Sequence, residues 1–125
     1  MKPPPFEYHA PRTLLEALAI VGMHDNARVL AGGQSLMPML NMRLTTPDHL
    51  VDINRIPELA GIREVGPDIV IGAMTRQRDI EFSVLVRDRL PLLAEAITSV
   101  GHRQTRNRGT IGGSLCHLDP SAEQP

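Results

Sequence analysis

The chain has 125 residues, with 13 basic and 14 acidic side chains and a formal net charge of −1. This length fits one compact domain better than two, and it excludes a large multidomain enzyme. An apolar fraction of 42% and a charged fraction of 22% are ordinary for a globular protein. They therefore exclude a disordered tail and a strongly charged polyanion binder.

Aromatic and sulfur-containing residues narrow the function further. The aromatic residues are Phe6, Tyr8 and Phe82, too few for a single-stranded nucleic-acid binder, which stacks bases on aromatic side chains. The one cysteine, Cys116, excludes an internal disulfide or a four-cysteine cluster in this chain. We expect no secretory signal, no membrane span and a reducing, cytoplasmic location.

The first half of the sequence predicts alternating helices and strands. Thr13 and Glu16 have the spacing of a capping box, and Ser35 is a good helix N-cap. The predicted elements are a helix over residues 14–21 with an apolar face of Leu14, Leu15, Leu18 and Val21, a strand over 28–31, a helix over 36–43 and a strand over 49–53.

The second half predicts a hairpin, two helices and a long loop. Gly66-Pro67-Asp68 marks the turn of the hairpin, and Thr75 is a capping-type helix start. The regular spacing of apolar residues ends at Gly101, and the sequence after it is polar, basic and rich in glycine. The predicted elements are strands over 62–65 and 69–72, helices over 75–86 and 91–100, and a loop over 102–125.

A glycine pair between the first predicted strand and the second predicted helix carries the strongest chemical signal. Glycines leave room for a ligand, and free N–H groups at the mouth of a helix favour an anion such as a pyrophosphate. A plain strand-to-helix turn is the alternative. The segment reads Ala31-Gly32-Gly33-Gln34-Ser35-Leu36.

A second pair of glycines follows three arginines, Arg103, Arg106 and Arg108. Guanidinium groups suit phosphate oxygens, although a solvated basic loop is the alternative. Neither glycine element matches the Rossmann fingerprint or the P-loop, so a nucleotide site here is of another type. The second segment reads Thr110-Ile111-Gly112-Gly113-Ser114.

Other polar residues give no catalytic or metal-ligating pattern. Cys116, His117 and Asp119 lack the customary spacing of zinc ligands, so we expect no metal site. Asp52, Asn54 and Asp119 suit a turn better than acid–base catalysis, because such side chains bond their own backbone. We therefore expect no catalytic side chain.

Together with the two glycine segments, further short pieces make the whole chain resemble the N-terminal part of the FAD-binding medium subunit of molybdenum hydroxylases, the group that contains aerobic carbon monoxide dehydrogenase and xanthine dehydrogenase. The order and spacing of several short pieces carry the resemblance. Besides the two glycine segments, they are Phe6-Glu7-Tyr8-His9-Ala10-Pro11, Leu50-Val51-Asp52-Ile53, Ile71-Gly72-Ala73-Met74-Thr75 and Asp119-Pro120.

The resemblance implies an α+β, two-subdomain FAD-binding fold, with residues 1–55 in the first subdomain and 56–125 in a truncated second one. It assigns the FAD pyrophosphate to backbone amides and hydroxyl groups of both glycine segments. It places Asp119 near the adenosine half or the flavin. The implied cofactor-binding residues are Ala31, Gly32, Gly33, Gln34, Ser35, Leu36, Thr110, Ile111, Gly112, Gly113, Ser114 and Asp119.

The implied function is electron transfer. Electrons pass from iron–sulfur clusters on a small partner subunit through FAD to an external acceptor, while a large molybdopterin subunit hydroxylates the substrate. The flavin carries the redox chemistry, so no side chain need act as acid or base. The alternatives are a reductase of the UDP-N-acetylenolpyruvoylglucosamine type and a non-enzymatic module that binds anions or nucleic acid. Net charge near zero opposes the latter.

Overall fold

Three short parallel strands form the sheet of the first half of the chain. The computed structural model describes residues 1–124, and its contacts define two units, Met1–Pro57 and a second one that begins at Glu58. The elements of the first unit are β1 (Glu7–His9), α1 (Leu14–Met23), β2 (Ala27–Leu30), α2 (Leu36–Asn41) and β3 (His49–Asp52). The strand order in the sheet is β1-β3-β2, with Leu50 and Val51 of β3 fully buried.

Helix α1 begins where the sequence predicts. The Glu16 N–H donates to the Thr13 hydroxyl at 3.2 Å, and the Glu16 carboxylate accepts from the Thr13 N–H at 3.3 Å, so the capping box is confirmed. The predicted apolar face is wrong as a packing surface. Leu15 and Leu18 are exposed, whereas Ala17 is buried, because a small side chain lets the helix approach its neighbours closely.

The second unit combines an antiparallel hairpin with five helices. The hairpin is confirmed, and Gly66 supplies its turn with a φ of +60°. Ile80, Val86, Ile97 and Val100 form the buried core. After a 3-10 turn over Pro57–Leu59, the elements are β4 (Ile62–Val65), β5 (Asp68–Ile71), α3 (Gln77–Glu81), α4 (Val84–Arg89), α5 (Pro91–Ser99), α6 (Arg103–Arg108) and α7 (Ile111–His117).

Three predictions about the second unit are wrong. The helix predicted over 75–86 is split into α3 and α4, because Ser83 accepts from the Val86 N–H and starts a new helix. Thr75 does not cap α3, since its hydroxyl bonds both backbone groups of Gly61 at 3.0 Å. The loop predicted from residue 102 contains α6 and α7 instead.

The fold class is confirmed as α+β, with the sheet and the hairpin flanked by short helices. The strand β1 was not predicted, because only three residues of it pair with β3. None of the helices within residues 1–124 is long and apolar enough to cross a membrane.

Candidate functional site

The first glycine segment forms a turn between β2 and α2 whose backbone donors are open. Gly33 has a φ of +74°, a conformation that favours glycine. Within residues 1–124 the N–H groups of Gln34, Ser35 and Leu36 meet no acceptor. Ser35 stands at the N-cap position of α2, as predicted, but its side chain makes no capping bond. Three N–H groups and one hydroxyl are therefore available to a ligand at this turn.

A chain of polar contacts holds this turn against the end of β3. The Asn54 side-chain amide donates to the Ala31 carbonyl at 2.8 Å and to the Asp52 carboxylate at 2.6 Å. The other Asp52 oxygen accepts from the Tyr8 hydroxyl at 2.5 Å. The prediction that Asp52 and Asn54 are turn residues is confirmed, since Asp52 also accepts from the Asn54 backbone N–H at 2.8 Å. Asn54 has the further role of positioning Ala31.

That positioning role was missed from the sequence, although a signal for it exists. Strands β2 and β3 are parallel, with Leu30 opposite Asp52, so residues just after both strands meet at one edge of the sheet. Asp52 and Asn54, at the end of the buried strand β3, are therefore placed to contact the turn that follows the neighbouring strand β2.

The environment of Asp52 makes its contribution to stability depend on pH. Burial raises the pKa of this carboxyl, but hydrogen bonds from Tyr8 and Asn54 and the charge of Arg55 outweigh burial and lower the pKa overall. A lowered pKa in the folded state means that the stabilisation is present above the unfolded pKa of about 3.9 and is lost as pH falls through the folded value.

We expect Asp52→Ala to lower the free energy of unfolding by about 1 kcal/mol at pH 7, because charged hydrogen bonds are lost at a half-buried site. Urea unfolding at pH 7 and below about pH 3 checks this, and the difference from the unsubstituted chain should shrink at the lower pH. Asp25→Ala, at an exposed carboxylate, is the control. An equal loss at both pH values would contradict the account.

The second glycine segment is the start of helix α7, and the backbone N–H groups of its residues 111–114 are already used. The Thr110 hydroxyl accepts from the Gly113 N–H at 3.1 Å. The N–H groups of Ile111 and Gly112 donate to the carbonyls of Thr75 and Ala73 at 3.2 and 2.9 Å. No hydrogen bond of the Ser114 hydroxyl occurs within residues 1–124. Thr110 is only 2% exposed, so the Ser114 hydroxyl is the group that this segment can offer a ligand.

The three arginines before this segment differ in what they contact. Arg106 forms a two-point ion pair with Glu81, at 2.9 and 3.3 Å, and donates to the Val100 carbonyl at 3.0 Å. Its guanidinium is therefore occupied inside the unit. Arg103 and Arg108 lie on α6 with exposed side chains. Of the three arginines, Arg103 and Arg108 are therefore the ones whose guanidinium groups can donate paired hydrogen bonds to phosphate oxygens.

Asp119 lies beyond α7 in a turn. Its carboxylate accepts from the Ser121 N–H at 2.9 Å, and its carbonyl accepts from the Ala122 N–H at 3.0 Å. This confirms the turn role that the sequence indicates for Asp119. The first glycine segment and the residues that position it belong to the first unit, whereas the second segment and Asp119 belong to the second.

Comparisons with known proteins identify the family. The family described as the FAD binding domain in molybdopterin dehydrogenase matches residues 4–125. The carbon monoxide dehydrogenase medium chain of Hydrogenophaga pseudoflava is 54% identical over 126 residues, which cover 100% of this chain and 44% of the relative. The 6-hydroxypseudooxynicotine dehydrogenase complex subunit alpha of Paenarthrobacter nicotinovorans is 48% identical, covering 100% of this chain and 43% of that one.

A solved structure agrees with these sequences. Carbon monoxide dehydrogenase from Hydrogenophaga pseudoflava, in a form that lacks the Mo-pyranopterin moiety, matches with a TM-score of 0.94 and 56% identity over 96% of this chain and 42% of the other. The chain spans less than half the length of these relatives. The predicted family, fold and FAD cofactor are confirmed: the chain belongs to the FAD-binding domain family of molybdopterin dehydrogenases.

Proposed function

We propose that this chain is the FAD-binding part of a subunit of a molybdenum hydroxylase. In this proposal, electrons from iron–sulfur clusters on a small partner subunit reach an external acceptor through FAD, and a large partner subunit carries the molybdopterin. Membership of the FAD-binding family and relatives that are dehydrogenase subunits support it. The observation that carries it is the run of unused N–H groups at Gln34, Ser35 and Leu36.

The first glycine segment fits a diphosphate for a local reason. Successive backbone N–H groups that face no acceptor form a concave anion site, and hydrogen bonds to charged oxygens are stronger than those to neutral ones. Helix α2 has only six residues, so the individual N–H groups matter more than the helix dipole. We infer that residues 31–36 bind the pyrophosphate, with the Ser35 hydroxyl as an added donor.

The second glycine segment contributes differently in this proposal. The N–H groups of residues 111–114 stabilise the fold, so Ser114 contacts the cofactor through its hydroxyl group. Thr110, which caps α7 from a buried position, together with Ile111, Gly112 and Gly113, shapes the approach to it. Asp119 contacts the adenosine or flavin half. Both segments are assigned to FAD binding on the strength of the family to which the chain belongs.

The chemistry of the site divides between cofactor and chain. When bound, FAD supplies the electron-accepting and electron-donating ring system. The residues of this chain bind and orient it, and we assign no side chain as a catalytic acid or base. A single, exposed cysteine fits a reducing compartment, so we also propose a cytoplasmic location.

We expect Ser35→Ala to weaken FAD binding by roughly tenfold while leaving the unfolding midpoint unchanged. The hydroxyl has no capping role in the fold, and one hydrogen bond to a charged oxygen is worth about 1.5 kcal/mol. Quenching of flavin fluorescence during titration measures the affinity, and urea unfolding measures stability.

Ser83→Ala is the matched control for this experiment. Its hydroxyl caps α4 by accepting from the Val86 N–H at 3.2 Å, so its loss should cost about 1 kcal/mol of stability and leave FAD affinity unchanged. Equal FAD affinity of the Ser35→Ala and unsubstituted chains would contradict the proposed role of the first segment.

A further inference from the structure

Three of the five histidines of the chain meet at one place in the first unit. His9 ends β1, His49 begins β3, and His24 follows the last residue of α1. Each is half-buried, and one ring nitrogen from each lies within 4.8 Å of the other two. Imidazole nitrogens are common ligands of zinc and neighbouring divalent metals.

The strand register explains why these side chains share one face. Glu7 pairs with His49 across the parallel β1–β3 ladder, and Glu7 and His9 are two residues apart on β1. Side chains at such positions point to the same side of a sheet. The Glu7 carboxylate oxygens lie 3.7 Å from His9 Nε2 and 3.6 Å from His49 Nδ1. Three imidazoles and one carboxylate are thus grouped.

The distances approach those of a tetrahedral site. Ligand bonds of about 2.0–2.1 Å to zinc place neighbouring ligand atoms about 3.3 Å apart. His9 Nε2 and His49 Nδ1 are 3.1 Å apart, and the carboxylate oxygens are slightly more distant. The His24 ring stacks on that of His49, with centroids 3.7 Å apart. It therefore has to turn about its side-chain torsions before its nitrogen can point at a shared ion.

We propose that His9, His24 and His49, together with Glu7, bind one divalent transition-metal ion, with Zn²⁺ as the fitting member of the class. The donor set of three imidazoles and one carboxylate matches the ligands that zinc accepts in four-coordinate sites. Neutral imidazole and ionised carboxylate are the forms of these side chains that bind a metal ion.

This metal site is separate from the proposed flavin segment. His49 lies at the start of β3, while Asp52 and the turn it supports lie at the other end. His49 and Asp52 are three residues apart on β3, so their Cα atoms are separated by about 10 Å. The inference therefore does not depend on flavin binding, and it assigns the ion a structural role.

The proposed role is to fasten the α1–β2 connection to the two strands. Asn26, two residues after His24, already donates to Asp48 at 3.0 Å and to the Thr46 carbonyl at 3.1 Å. Its own carbonyl accepts from the Asp48 N–H at 3.1 Å. The connection is thus held beside His49 by ordinary hydrogen bonds, which keeps His24 near the other two imidazoles before an ion binds.

Calorimetric titration of the whole, untagged chain with Zn²⁺ at pH 7.5 tests the proposal. We expect one equivalent to bind with a Kd below about 1 µM, and Co²⁺ to give the intense visible bands of four-coordination. His24→Ala should weaken binding at least tenfold, because it removes a ligand from a turn without touching a strand. His117→Ala, at an exposed histidine of the second unit, is the matched control.

Ring nitrogen NMR signals give a readout that a merely structural change does not mimic. Zn²⁺ should shift the signals of His9, His24 and His49 and leave those of His102 and His117 in place. The proposal is overturned if Zn²⁺ binds more weakly than about 100 µM, if His24→Ala and His117→Ala bind it equally, or if all five histidines shift together. A folded Glu7→Gln chain with weakened binding would support the carboxylate as fourth ligand.

Discussion

Replacing Arg106 with methionine should lower the free energy of unfolding by about 3 kcal/mol, because it leaves the Glu81 carboxylate without its partner in a mostly buried place. The side chains of Arg106 and Glu81 are only 14% and 16% exposed. The same change removes the donor to the Val100 carbonyl. Urea unfolding measures the loss, which should be partly recovered in the double variant Arg106→Met with Glu81→Leu.

An exposed ion pair of the same unit serves as the control. Arg87 and Asp88 are 67% and 63% exposed, so Arg87→Met should cost less than about 1 kcal/mol. A comparable loss for both arginines would contradict the assignment of Arg106 to the fold. The sequence indicates that Arg106 is a candidate for binding phosphate. In the structure its side chain instead links α6 to Glu81 of α3 and to the Val100 carbonyl at the end of α5.

Replacing Gly112 with alanine should destabilise the second unit by about 2–3 kcal/mol, through overpacking against backbone. An added Cβ would lie 2.6 Å from the Cβ of Ala73 and 2.7 Å from its carbonyl oxygen. Backbone atoms cannot move aside as the end of a flexible side chain can. Thermal or urea unfolding checks the prediction, with the transition of the unsubstituted chain as reference.

Gly22→Ala is the matched control, because nothing lies within 4 Å of the added Cβ. Alanine is a better helix former than glycine, so this change in α1 should raise stability by about 0.5–1 kcal/mol. Equal stability of the Gly112→Ala and unsubstituted chains would contradict the close contact with Ala73. Weaker FAD binding by a Gly112 variant would therefore reflect partial unfolding of the chain as well as a lost contact with the cofactor.

The sequence predicted correctly those parts of the fold that depend on interactions between residues close together in the chain. The Thr13–Glu16 capping box and the turn at Gly66 each require a particular residue type at a particular place, and both occur as predicted. The glycine pair at residues 32 and 33 was also predicted as a turn between strand and helix. These features depend on neighbours a few residues away, which is why a single sequence reveals them.

Long-range contacts decide the parts that were missed. Helix α7 forms across two glycines because Thr110 caps it and Gly112 must approach Ala73, some forty residues away in sequence. A glycine-rich, basic segment otherwise resembles a loop. The histidine cluster was missed for a similar reason: the pairing of β1 with β3 brings His9 to His49, and the contacts of Asn26 with Asp48 hold His24 near them.

Titration of the chain with FAD and with riboflavin tests the central claim most directly. Riboflavin has the same ring system but no diphosphate or adenosine. Any tighter binding of FAD therefore measures what the diphosphate and adenosine contribute to affinity. If the unused N–H groups of residues 34–36 hold the diphosphate, FAD should bind at least about 100-fold more tightly than riboflavin. Equal affinity for the two flavins would contradict the account.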